Sequence, residues 1–71
     1  MLKNLINLRK QAERTQKQMA SFLGITERQY RRLEAGTSDG SVKIWQQLSR
    51  FFNTTIDYLL KQDVDNNLSS E

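Results

Sequence analysis

The apolar residues of this chain recur at helical rather than alternating intervals, and short polar interruptions divide them into five segments. Leu5, Leu8 and Ala12 are spaced to share one face of a first helix running from about Leu2 to Glu13. Thr15 followed three residues later by Gln18 is a capping-box pattern, which starts a second helix at Gln16. Met19, Ala20 and Leu23 form its apolar side. Gly24 ends it, because glycine readily takes the positive φ that a helix C-terminus uses. Thr26 and Gln29 repeat the box almost at once, so the second and third helices are joined by three or four residues, an angular turn rather than a loop. The third helix runs from about Glu27 to Ala35 and stops at Gly36. Tyr30 and Leu33 point inward from it, with Ile25 added from the turn.

Thr37, Ser38, Asp39 and Gly40 form the one clear loop. Ser41 then caps a fourth helix whose Val42, Trp45, Leu48 and Phe52 are spaced for burial. Asn53 suits a left-handed terminus. Thr54 or Thr55 starts a short fifth helix, from which Ile56 and Leu59 close the core. The pattern predicts an all-α fold, a compact five-helix domain over residues 1–61. Residues 62–71 are polar without a persistent period and read as a frayed or disordered tail.

Composition removes several function classes. With neither cysteine nor histidine, the chain has no disulfide, no thiolate metal site and none of the commonest neutral-pH acid–base groups. Glu34, Asp57 and Tyr58 remain as candidate catalytic groups, but they form no recognisable pair, so no enzyme, metal or cofactor is expected. No apolar stretch is long enough to cross a membrane and no signal peptide is evident, which makes the cytoplasm the default location. The net charge is +3, but three of the eight acids, Asp63, Asp65 and Glu71, fall in the last nine residues, where there is no basic residue. Residues 1–61 alone carry +6. A basic body attracts phosphate backbones, although it would equally attract an acidic protein or an anionic membrane.

The third helix decides between these. Its apolar residues face one way and leave Glu27, Arg28, Gln29, Arg31 and Arg32 to other directions. Arginine donates two hydrogen bonds to guanine, and glutamine can both donate and accept at adenine. Glu27 would either accept from cytosine or orient Arg31 four residues on. Alone, such charges are ordinarily a solvated helix face. The preceding turn changes that, since it is the arrangement that presents a second helix to the major groove of double-stranded DNA. Gln16 and Lys17 lie at the start of the second helix, where free N–H groups and the helix dipole favour a phosphate; solvation is the simpler alternative. Lys43 has a similar, weaker case. Arg9 and Glu34 each adjoin a core position and are either a bridge between the first and third helices or two independent surface charges.

Thr15-Gln16-x-x-x-Ala20-x-x-Leu23-Gly24-Ile25, with Leu33-Glu34-x-Gly36 downstream, resembles the phage repressor and Cro-type helix-turn-helix family. The likeness extends from Leu2 to Leu60. It implies a five-helix domain that binds operator DNA, typically as a two-fold dimer. By position it implies a DNA contact for Gln16 and base or phosphate contacts for Glu27, Arg28, Gln29 and Arg32; Lys17, Arg31 and Lys43 are backbone candidates on their own charge and placement. It implies a salt bridge between Arg9 and Glu34, and close packing of the second helix on the third at Ala20. The chain departs from the family pattern at Glu13 and Arg14, where a glycine and an apolar residue are usual. That alters the exit from the first helix and removes a core residue. The loop at 37–40 lacks a basic side chain. Tyr30 replaces a smaller aliphatic residue, so its hydroxyl must find a partner or reach solvent.

Ile44 and Phe51 lie seven apart on a flank of the fourth helix. With Tyr58 and Leu60 they are the expected homodimer surface. The reading is a small sequence-specific regulator that binds double-stranded DNA as a homodimer, acting as a repressor on an inverted-repeat operator. The alternative is a protein-interaction module or antitoxin that keeps the fold and chiefly grips a regulatory protein partner. The basic third helix favours the first, and the non-basic loop favours the second.

Overall fold

The computed structural model describes residues 1–37 and 40–61. The tail proposed for 62–71 and the middle of the 37–40 loop lie outside the described residues. Five helices follow in order: α1 (Lys3–Gln11), α2 (Gln16–Leu23), α3 (Glu27–Ala35), α4 (Val42–Phe52) and α5 (Ile56–Leu60). Each start from α2 onward is fixed by a hydroxyl. Thr15, Thr26, Ser41 and Thr55 accept hydrogen bonds from the backbone N–H three residues on, at 3.0–3.2 Å. Such a cap typically contributes about 1 kcal/mol to a helix this short. The boxes at Thr15 and Thr26 are reciprocal, with Gln18 and Gln29 accepting from the cap residue's own N–H. Thr55, not Thr54, starts α5.

The helix ends share one device. After α1, α2, α3 and α4 the chain turns through a left-handed residue, which lets the next N–H reach back to a carbonyl in the last turn. Gly24, Gly36 and Asn53 fill three of these positions, with φ of 73°, 77° and 53°. Glu13 fills the first, with φ 58°. Its N–H bonds the Lys10 carbonyl, and the Arg14 N–H bonds the Arg9 carbonyl at 3.2 Å. The exit from α1 is thus the usual one, made by a residue that resists it. This reversal ends α1 at Gln11, two residues earlier than the periodicity predicts, and leaves Ala12 exposed.

Leu2, Leu5, Met19, Ala20, Leu23, Tyr30, Leu33, Trp45, Leu48 and Leu59 form the core, so every helix contributes to it. Leu8, Ile25, Ile44, Phe51, Phe52 and Ile56 pack around its edge. Val42 is a correction: it is 71% exposed, because the first turn of α4 projects beyond the core, and burial begins with Ile44 and Trp45. Phe52 is half-buried, on the core's edge rather than within it. The core residue missing at Arg14 is replaced from outside. Phe51 sits between Phe22 and Phe52, with ring centroids 5.0 and 4.9 Å away, and the Arg14 guanidinium lies 5.5 Å from its centre. The arginine stem and planar head cover what an aliphatic side chain would otherwise fill.

Glu13→Gly removes the left-handed penalty at a cost in unfolded-chain entropy, and the difference favours the variant by about 0.5–1 kcal/mol. Thermal unfolding followed by circular dichroism should show Tm rising by a few degrees. A lower Tm would mean that the Glu13 side chain contributes more than its backbone conformation costs.

Candidate nucleic-acid interface

The sequence of α3 divides it sharply. Tyr30, Leu33 and Glu34 are buried, while Glu27, Arg28, Gln29, Arg31 and Arg32 are exposed. Burial of the first set holds the helix against α2 and α1, and the exposed set follows the short turn at Gly24–Thr26. The turn itself is closed by the Ile25 N–H, which bonds the Ala20 carbonyl at 3.0 Å. Ala20 is buried, and its small side chain leaves room for α3 to pack close.

Glu34 is the one charged residue in the core among the described residues, with 3% of its surface exposed. A buried carboxylate is costly unless it is fully paired. Here Arg9 Nε donates to Oε2 at 2.6 Å, and Gln16 Nε2 donates to Oε1 at 2.9 Å. Arg9 Nη2 lies 3.5 Å from Oε1, and Nη1 donates to the Arg14 carbonyl at 2.8 Å. The Glu34 carbonyl in turn accepts from the Leu2 N–H at 2.8 Å. One residue of α3 is therefore tied to both ends of α1 and to the first residue of α2. Sequence reasoning singled out the Arg9–Glu34 pair but missed its third member. Gln16, read as a DNA contact, spends one amide hydrogen on Glu34.

Tyr30 lies against the same cluster. Its ring is completely buried, and its hydroxyl neither reaches solvent nor forms a hydrogen bond of good geometry, contrary to expectation. Arg9 and Gln16 engage both oxygens of Glu34, and no neighbouring group meets the phenol in hydrogen-bonding geometry. Burial first, and the neighbouring Glu34 carboxylate second, push the phenol pKa well above its ordinary value; Arg9 pulls the other way.

Among the other candidates, Glu27 and Arg31 form an exposed ion pair at 3.1 Å. Arg28, Arg32, Lys17 and Lys43 are exposed. Gln29 bonds the Thr26 N–H through its amide oxygen at 2.9 Å. Gln29 also borders a shallow groove of about 90 Å³ with Ile25, Leu33, Gly40 and Ile44, far smaller than the roughly 300 Å³ at which small-molecule pockets begin. Gly40 allows this closeness: it has φ 63°, and a Cβ there would lie 2.8 Å from Leu33 and 2.9 Å from the Trp45 indole nitrogen. Of the dimer candidates, Ile44 and Phe51 are half-buried within their own chain, whereas Tyr58 and Leu60 are exposed.

Residues 5–59 match the family profile described as helix-turn-helix. The chain is a helix-turn-helix protein of the phage repressor and Cro type. This helix-turn-helix chain is 40% identical over 58 residues, 82% of its length, to an uncharacterized HTH-type transcriptional regulator, YqaE, of Bacillus subtilis (strain 168). It spans half the length of that relative. No solved structure gives a significant match. No helix among the described residues is long and apolar enough to cross a membrane, and the described residues contain no cluster of acidic groups able to hold a metal ion.

Arg9→Met strands a buried carboxylate with only Gln16 for a partner, and should cost about 3 kcal/mol in chemical denaturation, the low end for breaking a buried pair. A loss below ~1 kcal/mol would show that water replaces the guanidinium. Tyr30 gives a prediction in pH. Its folded pKa is raised, so its contribution is complete below the ordinary phenol value near 10 and is lost as pH rises beyond it. Above about pH 10, wild type should therefore lose stability faster than Tyr30→Phe, and the variant should be at least as stable at pH 7 because no hydrogen bond is broken. Parallel curves for the two proteins would contradict this.

Proposed function

We propose that this chain binds double-stranded DNA in a sequence-specific manner as a small transcriptional regulator, a homodimeric repressor acting on an inverted-repeat operator in the cytoplasm. The observation that carries the reading is the division of α3. A buried face is anchored through Glu34 to α1 and α2, and an exposed face beyond a three-residue turn carries three arginines. A rigidly held helix that presents guanidinium groups is what major-groove readout requires. Two copies would set their α3 helices in successive major grooves about 34 Å apart.

Arg28 and Arg32 are the proposed guanine readers. Glu27 is held by Arg31 in the free chain, so it reaches a cytosine only by exchanging that partner. Lys17, Arg31 and Lys43 are proposed for phosphates, together with the free N–H groups at the start of α2, where the first turn carries no acid to repel an anion. Gln16 joins them through the amide hydrogen that Glu34 leaves unused. The homodimer is proposed chiefly through α5, where Tyr58 and Leu60 are 46% and 43% exposed. Ile44 and Phe51 are placed at its margin, since most of their surface is spent inside the chain.

The test is selection of bound sequences from a random duplex library at about 0.15 M salt, where nonspecific attraction is weakened. Wild type should enrich an inverted repeat, and Arg28→Ala and Arg32→Ala should each relax one position of the half-site. Loss of one bidentate contact corresponds to about 1–3 kcal/mol, or roughly five- to 150-fold in discrimination. Enrichment of nothing, with binding indifferent to both arginines, would leave DNA a nonspecific ligand and favour the protein-partner reading.

A further inference from the structure

We propose that Gln29 is a specificity-determining residue that reads its base as a donor only, selecting guanine or thymine over adenine. This deepens the DNA-binding reading above and rests on it. Glutamine ordinarily pairs with adenine by accepting from N6 and donating to N7 at once. That requires both ends of the amide to lie side by side along the base edge. In this chain one end is committed. The Thr26 N–H is a donor, so the atom it meets at 2.9 Å must be the Gln29 oxygen; chemistry fixes the orientation of the amide. The reciprocal bond from the Gln29 N–H to the Thr26 hydroxyl, at 3.1 Å, holds the same turn from the other side.

Gln29 borders the groove formed by Ile25, Leu33, Gly40 and Ile44, three of them apolar. Its Nε2 makes no hydrogen bond among the described residues. Among the described residues, the NH2 end of this exposed side chain therefore has no acceptor. The oxygen keeps a second lone pair, but the cap has already set the amide plane, and both polar ends cannot face adenine without giving up the bond to Thr26. A donor-only group finds two acceptors on guanine, O6 and N7, and one on thymine, O4; adenine offers N7 alone, beside an N6 amino group that this side chain leaves unmatched. The box that starts the recognition helix thereby also sets which base edge one of its side chains accepts.

The same library selection, run on wild type, Gln29→Ala and Gln29→Glu, tests this. Glu preserves the capping box, since a carboxylate accepts from the Thr26 N–H as an amide does, and it turns an acceptor outward instead of a donor. Wild type should prefer guanine or thymine at one half-site position. Gln29→Ala should flatten that position by about fivefold, the low end for a base contact, while the positions relaxed by Arg28→Ala and Arg32→Ala stay fixed. Gln29→Glu should shift the preference toward cytosine or adenine, which offer an amino donor. Because an added negative charge weakens binding to every sequence, base frequency is the readout and affinity is not; where Gln29→Glu retains no binding, Gln29→Ala decides. A Gln29-dependent preference for adenine overturns the proposal. So does an unchanged motif in both variants, including the case where affinity alone falls, which would assign Nε2 to a phosphate. An arginine-dependent motif accompanying either result leaves the DNA-binding reading standing, whereas the absence of any motif removes both.

Discussion

The structure depends on one buried carboxylate. Glu34 stands where the periodicity of α3 puts an apolar residue, and a lone charge there would not be tolerated. It is tolerated because two helices converge on the carboxylate, Arg9 from α1 and Gln16 from α2, while the Leu2 N–H at the start of α1 bonds the residue's backbone oxygen. Such a cluster adds little net stability over a well-packed apolar one. What it adds is direction. Apolar contacts between short helices tolerate sliding, whereas a short charged hydrogen bond holds only in one register. The orientation of the exposed arginines on α3 is inherited from that register, which links packing inside the domain to the DNA contacts proposed for them.

A second constraint is economy of length. With five helices of five to eleven residues, none is stable by propensity, and termini make up much of the chain. The four hydroxyl caps and four left-handed closures answer this directly. They also couple ends to function. The box at Thr26 holds the first turn of α3 and at the same time commits one side of the Gln29 amide. The box at Thr15 opens α2 while leaving its first N–H groups available to a phosphate.

The departures from the family pattern are absorbed locally. Glu13 adopts the left-handed turn that glycine would take without strain, and Arg14 lies over Phe51 where an aliphatic side chain would be buried. Phe51 is large enough to meet Phe22, Phe52 and the guanidinium together, so its bulk and the absence of an apolar residue at position 14 are one compensated change. Tyr30 is the exception. Its ring fills the core completely, but its hydroxyl finds no hydrogen bond of good geometry, and no neighbouring side chain turns to meet it.

Most of the architecture was legible in the chain because its signals are local. A capping threonine with its glutamine, a glycine at a helix end and an apolar stripe act within one or two turns, so the five helices, the angular turn and most of the core follow from spacing. The ends of α1 and the exposure of Val42 did not follow, since a left-handed glutamate leaves no compositional mark and periodicity does not say where a core stops. The exposed residues of α3 were equally visible in sequence, and so were the Thr26–Gln29 box and the Glu27–Arg31 spacing. That Gln16 is already bonded was not, because its partner Glu34 is 18 residues away. Helix and turn are set by interactions between near neighbours, which the sequence alone determined. Which polar atoms remain to meet another molecule is set by what distant helices bring to the same place, and only the tertiary structure decided that.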